Sequence, residues 1–204
     1  MDSLLLFLGV DLLLVCTPGP DWLYVIARGL GQGRRAALTA VAGVCAGYLV
    51  YTVAVTAGLA AAVRAYPAVL PVLRYAGAAY LTLLAVRMLL AARRGARAAA
   101  PEPAAPLNTA AVARQSMLTA LLNPKALLLF VSLLPQFTDT GAALPVGAQL
   151  ALLGALHILL CGLVYSAVGL TAARVGGAVR SPGRGLTRIS AGLLLVVAAV
   201  TAAP

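Results

Sequence analysis

Uncharged apolar stretches of about 18 residues or more recur along this chain, each long enough for a helix to cross the hydrocarbon layer. They leave few folds open. The 204 residues are 62% hydrophobic with a mean hydropathy of +1.00, beyond the roughly 45–50% apolar usage of soluble domains. With no water in the bilayer core, every backbone polar group needs an internal partner, which helices supply. The expected fold is all-α, a polytopic membrane protein of about six transmembrane helices in one membrane domain, residues 1–204. The expected spans cover residues 3–26, 36–63, 75–92, 115–138, 146–171 and 189–203. The last is only 15 residues long, about 22 Å of helix, so five spans remains open. The apolar start of the chain lacks a basic leader and reads as a first membrane helix, not a cleaved signal peptide.

The formal charge of +10 does not point to nucleic acid, because the basic residues form no long face and few aromatics accompany them. They collect between apolar runs: Arg28, Arg34 and Arg35; Arg64 and Arg74; Arg93, Arg94, Arg97 and Arg114; then Arg174, Arg180, Arg184 and Arg188. Basic short loops stay cytoplasmic, so the richer first, third and fifth connections belong inside and both termini outside. Cys16, Cys45 and Cys161 lie in apolar segments without metal-ligand or disulfide spacing, and read as small buried hydrophobes. Neither a metal nor a cofactor is expected. Gly43-x-x-x-Gly47 permits close helix approach, and a homodimer is one arrangement this allows.

Inside the fourth span stands Asn123-Pro124-Lys125, with the only lysine of the chain. A cation at the centre of an inserted helix costs roughly 2.5–3.5 kcal/mol, and residues so placed usually face a pathway or a polar partner. Pro124 lacks an N–H and crowds the preceding turn, so the helix should kink beside that charge. The alternative is a snorkelling lysine beside a simple bend. The first span holds Asp11 and Thr17-Pro18-Gly19-Pro20-Asp21, which cannot continue a regular helix either. Asp21 suits a cap on the restarting helix or a gate at the inner mouth.

An Ala/Pro-rich stretch over residues 93–114 reads as a cytoplasmic linker between two halves, residues 1–92 and 115–204. Three spans in each half is an odd number, so the halves must be inverted relative to each other. Aligning Pro18 with Pro124 matches Thr17 to Asn123, Leu23 to Leu129 and Val25 to Val131. Corresponding broken helices in inverted halves are the best pointer to a transporter site. At 1.5 Å per residue, Asp11, Lys125 and His157 lie about 12, 15 and 16 Å into their spans. An Asp11–Lys125 pair would lower the cost of both charges. Histidine is the side chain able to exchange a proton near neutral pH, so His157 suits proton coupling, or else serves as a hydrogen-bonding packing residue.

The chain resembles the LysE/RhtB family of amino-acid exporters. The resemblance rests on Thr17-Pro18-Gly19-Pro20-Asp21 with Arg34-Arg35, Gly77-Ala78-Ala79-Tyr80-Leu81, Asn123-Pro124-Lys125-Ala126 and Leu134-Pro135-Gln136-Phe137, in that order. It implies a bacterial inner-membrane secondary exporter of amino acids or close derivatives, driven by protons. It nominates Pro18, Gly19, Pro20, Asp21, Asn123, Pro124, Lys125 and Gln136. A zwitterion needs a cationic or N–H-rich site for its carboxylate and acceptors for its ammonium. Low charge around its side chain favours neutral substrates. A membrane enzyme lacks an acidic cluster or a recognisable nucleophile pair here. A passive channel or a non-transporting scaffold is the alternative.

Overall fold

A computed structural model describes residues 2–58, 108–178 and scattered positions within 65–90 and 192–199. The expected third and sixth spans therefore lie largely outside the described residues, as do Arg93, Arg94, Arg97, Arg180, Arg184 and Arg188. Among the described residues the regular structure is helical: α1 (Asp2–Cys16), α2 (Pro20–Thr56), α3 (Thr109–Leu121), α4 (Pro124–Leu128) and α5 (Val146–Ala178). α4 runs on through a wide π turn, Leu129–Leu133, and a tight 3-10 turn, Leu134–Phe137. Pro135 accounts for that sequel, since it cannot donate to the carbonyl four residues earlier and its ring crowds the turn.

α2 is not one straight rod. Gly33 interrupts it at φ 81° and ψ −170°, a left-handed φ that glycine adopts without a Cβ clash. The chain folds back there, because the Tyr48 hydroxyl reaches the Asp21 carboxylate at 2.6 Å. An unbroken helix would hold those residues about 40 Å apart. The two arms, residues 20–32 and 34–56, form a hairpin with Arg34 and Arg35 exposed beside its tip. Arg28, expected in a connection, is instead helical and buried within the first arm.

α3 lies along the second arm. A Cβ at Gly43 would run into Ser116 Oγ and the Ala113 carbonyl, and one at Gly47 would meet Ala120 Cβ at 2.8 Å. The small-residue stripe is thus filled by a helix of the same chain and is not free for a second copy. α5 crosses both arms, meeting Thr52 through Gly154 and Val25 and Ala37 through Gly169.

The polarity of the molecule is reversed relative to a water-soluble protein. Leu5 and Leu13 of α1 are 65% and 72% exposed, and Leu159 and Leu163 of α5 are 60% and 63% exposed. Asp11, Asp21, Arg28, Asn123 and His157 are buried. Apolar residues outside and ionisable residues inside is the arrangement a bilayer favours. Among the described residues, Pro20–Thr56, although folded back at Gly33, and Val146–Gly177 each hold a stretch long and apolar enough to cross a membrane. A third crossing is added if Thr109–Leu121 and Pro124–Phe137, bent by 55°, count as one span.

Candidate functional site

The site grows out of two chain interruptions. In a continuing helix the Leu14 carbonyl would accept from residue 18, but that residue is Pro18 and has no N–H. α1 accordingly stops at Cys16, and Gly19 crosses to α2 in an extended conformation (φ −157°, ψ −178°). The carbonyls released are taken up by Lys125, whose Nζ donates to Leu14 O at 2.7 Å and Thr17 O at 2.9 Å. The lysine therefore sits on the negative end of α1, where the helix dipole favours a cation.

α3 ends in the same way. Asn123 caps α4 by accepting from the Lys125 backbone N–H at 3.0 Å, the usual task of an N-cap side chain. The Leu121 carbonyl, released by that turn, accepts from the Tyr51 hydroxyl at 2.6 Å. Both restarting helices begin with proline, Pro20 and Pro124. Counted from these two restarts, Pro20 stands where Pro124 does, two residues on from the Pro18 that the sequence comparison sets against Pro124. In this register Thr17 corresponds to Leu121, Gly19 to Asn123, and Asp21 to Lys125. Opposite charges occupy equivalent positions in the first turn after each break.

Asp21 is 1% exposed and accepts from the Tyr48 hydroxyl and from Asn123 Nδ2, both at 2.6 Å and both on Oδ2. Its Oδ1 is buried with no hydrogen-bond partner among the described residues. Such an oxygen carries an unmet demand for a donor. Leu14, Val15, Gly19, Asp21, Tyr48, Asn123, Lys125, Ala126, Leu129, His157 and Tyr165 enclose a cavity of about 20 Å³. That volume suits about one water and is far too small for an amino acid.

The expected Asp11–Lys125 pair does not form. Asp11 faces His157 instead, with Oδ1 and Nδ1 2.7 Å apart and both residues buried. Asp11 Oδ2 has no partner among the described residues. His157 Nε2 lies 3.5 Å from Cys161 Sγ. The imidazole packs on Tyr48 and edge-on against Phe130, with centroids at 5.0 and 5.4 Å. Depth alone had placed Asp11, Lys125 and His157 at a similar level; the carbonyls freed by Pro18 decide which cation goes where.

Of the other nominated residues, Gly19 lines the cavity, whereas Thr17 and Pro18 are exposed. The Thr17 side chain donates back to Leu13 O at 2.8 Å. Gln136 is exposed and donates to Ser132 O at 2.7 Å, outside the cavity lining. Cys16 is exposed and Cys161 buried, so the reading of all three cysteines as buried holds for Cys161 alone, Cys45 being partly covered.

Arg28 was missed as a polar centre. Its guanidinium donates to Tyr24 Oη at 2.9 Å, to Gln32 Oε1 at 2.8 Å and to Gln115 Oε1. It also lies 4.9 Å from the Tyr24 ring centroid, within cation–π range. This joins the first arm of α2 to α3. The signal was available: Tyr24, Arg28 and Gln32 are spaced by four and share one helical face.

The profile of LysE type translocators matches residues 12–203. The chain belongs to that family. It is 36% identical over 135 residues to a leucine efflux protein of Klebsiella pneumoniae, covering 65% of this chain and 61% of that protein. A leucine efflux protein of an Enterobacter strain is 34% identical over 132 residues, 63% and 60% of the two chains. An uncharacterized membrane protein of Pseudomonas aeruginosa is 34% identical over 170 residues, 82% and 78%. The match thus spans about three fifths of the leucine efflux proteins' own length. No solved structure matches the chain at a significant level.

Proposed function

We propose that this LysE-family chain exports amino acids from the cytoplasm by alternating access, holding the zwitterion between Asp21 and Lys125. The observation that carries this reading is the pair of opposite charges at equivalent positions of two restarting helices, on one cavity. Asp21 Oδ1, lacking a donor, suits the substrate ammonium. Lys125 has three N–H donors, two of them on carbonyls, and the third suits the carboxylate. Leu14, Val15, Ala126 and Leu129 offer an aliphatic wall suited to a neutral, apolar side chain, as in the substrate named for the leucine efflux relatives.

A cavity of about 20 Å³ admits no substrate, so loading requires the two breaks to part. In this reading α1 with the first arm of α2, and α3 with α4, are the broken first spans of two inverted three-helix halves. The basic tip at Arg34 and Arg35 faces the cytoplasm of a bacterial inner membrane, with both termini outside. The Asp11–His157 pair is the place for a coupling proton, since His157 also lines the cavity and an imidazole nitrogen can either give or take a proton.

The test is flux from vesicles loaded with a panel of amino acids, with and without a proton gradient. Saturable, uncoupler-sensitive flux is expected, and unsaturable flux down a gradient would indicate a channel. Lys125→Ala and Asp21→Asn should each lower flux about 10–100-fold, the loss of a charged hydrogen bond of about 1.5–3 kcal/mol, while the proteins still insert. Normal flux through well-expressed Lys125→Ala would overturn the assignment.

A further inference from the structure

Among the described residues, two features of Lys125 invite a reading beyond substrate contact. Its ammonium donates to two carbonyls at the broken end of α1, Leu14 O at 2.7 Å, which otherwise accepts only a shared bond from the Thr17 N–H at 3.1 Å, and Thr17 O at 2.9 Å. It does so from the wall of the cavity that also holds Asp21. Unwound carbonyls at the C-terminal end of a broken membrane helix are the ligands that transporters commonly offer to a coupling cation. Here those ligands are held by a cation that is part of the chain. Gly19 lies alongside the same side chain, where a Cβ would rest in ordinary contact 3.7 Å from Lys125 Cδ and 4.0 Å from Nζ.

We infer that the Leu14 and Thr17 carbonyls form a monovalent-cation site whose resident ion is the Lys125 ammonium, so that this protein carries its own counter-cation and needs no metal ion in that role. The backbone supplies the reason. Pro18 cannot donate to the Leu14 carbonyl, which is left with only the Thr17 N–H it shares with Leu13 O, and the partial negative charge at a helix C-terminus favours a positive partner. A mobile ion would leave with each cycle; a tethered one stays. The consequence for transport rests on the export reading above, but the cation site itself does not.

Deleting the side chain beyond Cβ removes the equivalent of n-propylammonium. Purified Lys125→Ala in detergent should therefore gain thermal stability from n-propylammonium, and from Na⁺, relative to equal concentrations of choline. The expected rise is about 2–4 °C at saturating cation, with the unaltered chain unmoved by either. Lys125→Ser opens the same space and replaces Lys125→Ala if that variant does not fold. No cation-specific shift in a folded truncation variant would overturn the inference, as would a Na⁺-specific shift in the unaltered chain. These readouts involve no flux, so a protein that moves no amino acid would refute the export reading and leave the cation site standing. In vesicles, flux through the unaltered chain should be the same in Na⁺ and choline within two-fold, and Lys125→Ala should regain part of its lost flux with n-propylammonium.

Discussion

A double-mutant cycle on Asp11 and His157 gives the sharpest energetic test. Their contact is a single one, 2.7 Å between Oδ1 and Nδ1, with both side chains removed from solvent and Asp11 Oδ2 left without a partner. Two unit charges about 4 Å apart at an effective dielectric near 20 interact by about 4 kcal/mol, an upper figure before desolvation is charged against it. A hydrogen bond with a charged partner nets about 1.5–3 kcal/mol and a neutral one about 1 kcal/mol. Asp11→Asn and His157→Gln should therefore each destabilise, and the double variant should be more stable than the sum of their effects implies. Reversible unfolding in mixed micelles, followed by circular dichroism, gives the four free energies. A coupling of about 1.5–3 kcal/mol is expected. A coupling under about 0.5 kcal/mol, the limit of additivity for independent sites, would refute the claim that these residues hold each other in place.

Three further outcomes follow from the packing. Arg28→Ala should cost about 1–3 kcal/mol, because it strips a donor from the Gln115 side chain and from Tyr24; Arg28→Lys should recover only part, as an ammonium cannot reproduce the fork. Melting in detergent reads both. Gly43→Val should destabilise by about 1–3 kcal/mol by forcing the second arm of α2 away from Ser116 and Ala113, whereas the same change at Gly147, where a Cβ meets nothing within 4 Å, should fall within the scatter of surface substitutions. Gln136→Ala should leave flux within about two-fold, since surface changes stay within about 0.5 kcal/mol and this side chain only returns to Ser132.

The sequence was most informative where covalent chemistry forbids an alternative. Pro18, Pro20 and Pro124 cannot donate, so breaks beside them were readable, and so was the release of carbonyls. Which group would claim those carbonyls was not readable, because Lys125 and Leu14 are 111 residues apart and their meeting depends on how α1 and α4 dock. Asp11 and His157, 146 residues apart, pose the same difficulty, and matching depth left their pairing undecided. Arg28 was misjudged for another reason. Its surroundings, Gly29-Leu30-Gly31-Gln32-Gly33, have the composition of a loop, yet the helix persists to Gly33 because Gly29 fits under the Gly169 carbonyl of α5. Packing overrode propensity there.

The hairpin of α2 has a mechanical corollary. Its two arms are joined through one residue, Gly33, tied across by Tyr48 and Asp21, and spanned on the flank by α5. In the alternating access proposed above, such a unit would move as a single lever. The give within the described residues is left to the two proline hinges, and they carry the aspartate and the lysine. Prising them apart also separates the charges, so a molecule bridging the two would resist the very movement that releases it, and its grip would set the pace of the cycle.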